Sequence, residues 1–195
     1  MQHNLLTVTF TQHHIFMWCW ALKLTTMKLE QALPIAEKTL ELIRPHCFQA
    51  EIAGSIRRRK SEVKDIEIVC IAKPYERGLL ESGLATVVNQ WDKVKGEMIY
   101  GKVKYTQRIL PEGIKLDLFF ATPENWGLIY AIRTGSADYS HKVLARGWVR
   151  QGYRSEGGYL MKGDEQINVF EEEDLFQLIR IPWVAPQHRI YNPTY

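Results

Sequence analysis

The sequence predicts an α+β fold built as two subdomains that meet near Thr122. Three observations lead there. Segments of helical period and segments of strand character follow one another without a regular β-α-β rhythm. The 195 residues suffice for one sizeable domain or two small ones with a buried core. A composition of 46% hydrophobic and 24% charged residues is that of a folded protein and excludes fibrous or wholly disordered chains.

The elements follow in order. Residues 1–26 carry one charged side chain, Lys23, with three histidines and four aromatic residues, whereas dense mixed charge begins at Met27. This shift marks a boundary, and Met27 reads as the natural start. Leu29, Leu33, Ala36, Leu40, Ile43 and Cys47 step by four and three, one face of a helix, with a break or restart expected at Pro34 and an end at Pro45. Residues 50–53 and 65–72 read as strands, the second rich in Ile and Val and therefore central. Helical spacing is predicted over 76–94, through Leu79, Leu80, Leu84, Val87, Val88 and Trp91. Strands over 104–110 and 114–120 flank the turn Pro111-Glu112-Gly113. Thr122-Pro123-Glu124 opens a helix that runs to about Arg133 and stops at Thr134-Gly135-Ser136. A further helix is predicted over 137–149, a hairpin around Glu156-Gly157-Gly158, and an acidic helix start at 171–174 that suits the helix dipole.

Composition narrows the function classes. The net charge of +3 falls to +2 once Lys23 is set aside with the head, so any basic site must be local. Cys19, Cys47 and Cys70 include no C-x-x-C pair, which argues for free thiols in a reducing, cytoplasmic setting and against a zinc site. The longest apolar run, Ile15 to Leu22, is eight residues, too short to span a bilayer, so no membrane partner is expected. Trp126, Trp148 and Trp183 read as packing residues.

Chemistry concentrates in a short stretch. In Asp65-Ile66-Glu67 the strand period of two sends both carboxylates to one face. Two anions so close repel, and a divalent cation removes the conflict. Asp117 lies in the apolar strand Leu116-Asp117-Leu118-Phe119; if the strands are neighbours it joins the pair, giving three hard oxygen ligands at one sheet edge suited to magnesium or manganese. Upstream, Gly54-Ser55 precedes four cations, Arg57 to Lys60. Such a turn offers backbone N–H groups and a hydroxyl to phosphate, and arginine adds a fork of donors. Phosphate on one side and metal on the other describe a nucleotide site.

G-S-x-R-R, then D-x-E, then a third Asp in an apolar strand, then T-G-S, resembles family X DNA polymerases over most of residues 27–195. The resemblance implies a nucleotidyltransferase palm over 27–121, a mixed sheet with helices, followed by a small α/β thumb over 122–195, with residues 1–26 outside the family pattern. It implies that Asp65, Glu67 and Asp117 hold two Mg2+ or Mn2+ ions and that Gly54, Ser55, Arg58, Thr134 and Gly135 contact the incoming dNTP. Ser140 and His141, with Lys102 and Lys104, would contact primer-template or gapped DNA. Glu67 stands where type members have Asp, Arg59 and Lys64 where glycine is usual, and Ile132-Arg133 where an aromatic pair precedes T-G-S. No lyase-type domain precedes Met27, so the resemblance implies a core without lyase activity. The low net charge implies weak, salt-dependent affinity for DNA, supplemented by a protein partner or a special substrate end. Lys93, Lys95, Lys102, Lys104 and Arg108 would form a basic stripe beside the site. The alternatives are transfer to RNA, protein or a small molecule, and a catalytically silent nucleotide- or nucleic-acid-binding module.

Overall fold

The computed structural model describes residues 26–74, 83–96, 98 and 104–193. The head, Leu79, Leu80 and Lys102 lie outside the described residues. Strand β1 (Met27–Lys28) leads into helix α1 (Leu29–Ile43), which buries Ala32, Ala36, Thr39, Leu40 and Ile43. The break expected at Pro34 is absent. Pro34 lies on the exposed side of the helix, where water can bond the carbonyl that the missing N–H leaves. A 3₁₀ turn, Arg44–His46, then delivers Cys47 into a strand rather than a last helical turn.

Strand β2 (Cys47–Ile52), the short helix α2 (Gly54–Arg57), β3 (Glu62–Val63) and β4 (Asp65–Ala72) follow. The helix predicted over 76–94 is observed, among the described residues, only as α3 (Leu84–Val88), and Asp92–Lys95 forms strand β5. Strands β6 (Tyr105–Ile109) and β7 (Lys115–Phe120) match their predicted turn, in which Gly113 takes φ +80°. Five strands form one mixed sheet in the order β2-β4-β7-β6-β5, with β4 and β7 parallel and the other pairs antiparallel.

Alternation gives this sheet two different faces. Ile66, Ile68, Cys70, Leu116 and Leu118 pack with α1 into the first core. Arg108 is buried too, donating to the carbonyls of Lys95 and Gly96, so it does not belong to a surface basic stripe. On the other face Val69, Ile71 and Phe119 meet Trp126 at the start of α4 (Trp126–Thr134).

Helix α4 also contributes Leu128 and Ala131 to a second core, so the two halves share this helix, which begins just after Thr122. The predicted single helix after Ser136 is α5 (Ala137–Tyr139), a π-helical stretch Ser140–Ala145 and α6 (Arg146–Arg150). Strands β8 (Arg154–Glu156), β9 (Tyr159–Lys162) and an unpredicted β10 (Glu165–Ile167) form a small antiparallel sheet. Helix α7 (Glu172–Leu178) closes the second core with Leu175 and Phe176. Trp126 and Trp148 are buried as expected, whereas Trp183 is 45% exposed. The architecture is α+β with a mixed sheet, and no helix among the described residues is long and apolar enough to cross a membrane.

Candidate functional site

The parallel pairing of β4 with β7 sets Glu67 beside Asp117 and Asp65 beside Lys115. All three carboxylates therefore leave the same sheet face, the one that also carries Val69, Ile71 and Phe119. They stand on interior strands of the sheet, not at its edge. Burial, reinforced by the charges of Asp65 and Asp117, pushes the Glu67 carboxyl up to about 7, against the opposing pull of Arg58 and Arg133. Burial and Asp117 also raise Asp65.

The Gly54 turn is built around Glu67. Gly54 takes φ +61°, and a Cβ placed there would lie 1.8 Å from Glu67 Oε2, so the glycine serves both the turn and the close approach of this carboxylate. Ser55 Oγ is closed off from solvent and has no hydrogen-bond partner among the described residues.

The cation run expected to act together is divided. Arg57 turns toward α7, forming a bidentate pair with Glu172 at 2.7 and 2.8 Å and donating to Thr134 Oγ1 at 2.6 Å. Its guanidinium lies 3.8 Å from the Tyr130 ring centroid. Arg58 donates to the Thr134 carbonyl at 2.6 Å and faces Glu67 and Asp65; burial lowers its pKa and those carboxylates oppose the shift. Arg59 and Lys60 are exposed. Arg59 adopts φ +56°, the left-handed region that favours glycine, while Lys64 shows no positive φ.

The T-G-S segment is engaged in packing. Thr134 is fully buried between Arg57 and Arg58. Gly135 is buried, and a Cβ there would lie 2.5 Å from Ser140 Oγ. Ser140 donates back to the Ile132 carbonyl at 2.7 Å, so its hydroxyl is committed to joining the two helices, while His141 is exposed. Lys104 reaches the Gly157 carbonyl at 2.8 Å and ties β6 to the hairpin of the second half.

Four residues that bear on these acids were assigned no part in a site by the sequence. Tyr105 Oη and Gln107 Nε2 both donate to Asp117 Oδ1, at 2.8 and 2.6 Å. Arg133 lies 3.9 Å from the Phe119 ring centroid and favours the charges of Glu67 and Asp117. Glu172 accepts from both Arg57 and the fully buried Arg189; burial alone would raise its carboxyl, but the two guanidinium groups outweigh it and hold it below the usual carboxylate range. The period-two pattern of β6 marked Gln107 and Tyr105 as face-sharing, but nothing local marked Glu172, whose first partner is 115 residues away.

Among the described residues no three metal-ligating side chains converge as they stand around a common point. The donor set nonetheless fits a divalent cation in chemistry. Three carboxylates share one face, two have raised pKa values, and no ion pair within 4 Å neutralises them among the described residues. Compared with known proteins, the chain matches no family model and no curated sequence.

Proposed function

We propose that this chain is a metal-dependent nucleotidyltransferase that adds dNMP from a dNTP to a DNA 3′-hydroxyl and releases pyrophosphate. On this reading the first half is a palm similar to that of family X DNA polymerases and the second half its thumb. The observation that carries it is the trio Asp65, Glu67 and Asp117, set on neighbouring strands beside the Gly54-Ser55 turn and left without ion-pair partners among the described residues. Divalent cations bound there would lower the pKa of the attacking hydroxyl and neutralise charge on the leaving pyrophosphate.

The chain's own residues supply the rest. Asp65, Glu67 and Asp117 hold the cations. Arg58, with one N–H group committed to Thr134, faces the same carboxylates and offers a fixed positive charge to a triphosphate. Ser55 supplies a hydroxyl. The Arg57–Glu172 pair holds α2 against α4 and α7, which keeps Arg58 in place.

Extension of primed, gapped and single-stranded DNA with labelled dNTPs and Mg2+ or Mn2+ tests the proposal. Extension by the wild type and its loss in Asp117→Ala are the expected results; undiminished extension by the variant refutes the site. A second reading, a catalytically silent binding module, is favoured by the burial of Thr134 and Gly135. In that case metal and dNTP bind without turnover in any of these reactions.

A further inference from the structure

The carboxylate of Asp117, half-buried on β7, is held by two side chains of the neighbouring strand. Gln107 lies directly opposite it across the antiparallel β6–β7 pair, and Tyr105 lies opposite Phe119, two residues along the same face. Both side chains donate to the same oxygen, Oδ1. The Tyr105 ring is in turn fixed by stacking on Phe119 at 5.0 Å, and the guanidinium of Arg133 lies against that same Phe119 ring. The Tyr105 donor is thus held by Phe119, against which α4 lays Arg133.

The two donors are also uncharged. A carboxylate bound only for stability has guanidinium partners elsewhere in this molecule, at Glu172. Neutral donors orient the group and satisfy one oxygen while leaving its negative charge unneutralised, which is what a cation ligand requires.

We infer that Tyr105 and Gln107 are positioning residues for Asp117, fixing Oδ1 so that the other carboxylate oxygen is presented to a divalent cation shared with Asp65 and Glu67. The inference rests on the nucleotidyltransferase reading of this site. Loss of the two donors lets the carboxylate rotate about its terminal torsion, and the orientation must then be imposed by the cation itself.

The test is a titration of the full chain with Mn2+ alone, followed by electron paramagnetic resonance of the free and bound ion. Tyr105→Phe retains the ring and its stack, and Gln107→Leu retains the bulk. The double variant is expected to bind Mn2+ about 10–100-fold more weakly than the wild type. Its metal-free unfolding midpoint should stay close to that of the wild type, since a merely structural role would lower the midpoint without altering the Mn2+ signal. Should the double variant fail to fold, Tyr105→Phe alone must still weaken binding. Wild-type affinity in folded variants overturns the positioning role while leaving the metal site standing. A wild type that binds no Mn2+, or an Asp117→Asn variant that binds it equally well, overturns the reading of the site and the positioning role with it.

Discussion

Two acidic centres, one buried at Glu172 and one half-buried at Asp65, Glu67 and Asp117, lie within the same fold and are treated in opposite ways. Glu172 is enclosed by Arg57 and Arg189, with both carboxylate oxygens bonded and its pKa lowered. Asp65 and Glu67 are half-buried beside Asp117 with raised pKa values, and Asp117 is bonded by two neutral side chains. An acid retained for structure has its cations within hydrogen-bond distance. Acids gathered without such partners cost stability, and a cation from solution is what would repay that cost.

The largest effect expected from breaking this contrast is on activity. Asp117→Ala should lower nucleotide transfer by about a thousandfold or more, since several kcal/mol of transition-state stabilisation pass through the metal-holding carboxylates. Primer extension under single-turnover conditions measures it. Glu172→Gln should act on stability, leaving the buried Arg189 and the half-buried Arg57 beside a neutral group. A loss of about 3–5 kcal/mol is expected, read from denaturant unfolding.

The two centres should also respond oppositely to pH in the absence of metal. Glu67 has its pKa raised from an ordinary 4.5 to about 7, so the folded state holds its proton longer than the unfolded chain. Its contribution to stability is therefore most favourable below pH 4.5 and declines by a few kcal/mol as pH rises to about 7. Glu172 has a lowered pKa, so its contribution is present above pH 4.5 and is lost as pH falls through its folded-state value. Unfolding curves of Glu67→Gln should lose the first dependence and keep the second. If Glu67→Gln shows the wild-type profile, the contrast is wrong.

The smallest effect concerns the loop between the centres. Arg59 stands at φ +56°, a conformation that costs a non-glycine residue about 1 kcal/mol or more. Arg59→Gly should raise stability by about 0.5–1 kcal/mol after the greater freedom of the unfolded glycine is subtracted, or about 1–4 °C in the unfolding midpoint. Differential scanning calorimetry resolves a change of that size.

These differences explain what could be seen in the sequence. Strand β4 and the shared face of Asp65 and Glu67 were legible because alternation is a local property, and β7 was legible for the same reason. The helix predicted over 76–94 extended beyond Val88 because apolar spacing continued, while the pairing that makes 92–95 a strand is supplied by β6, more than ten residues away. Arg57 and Arg58 looked like one cationic run. Only the packing of α4 and α7 sends the first to Glu172 and the second toward the carboxylates. The acidic start of α7 read as a dipole match, and its burial depended on Arg57 and Arg189, from distant parts of the chain.

The most direct test of the contrast is the thermal unfolding midpoint at pH 8 with and without saturating Mn2+, for the wild type and for Asp117→Asn. The account predicts a rise of several degrees for the wild type, since a cation at a hundred times its dissociation constant adds about 2.7 kcal/mol. Asp117→Asn, relieved of one charge, should start higher and respond little. An unresponsive wild type, or an equal response in both proteins, would contradict it.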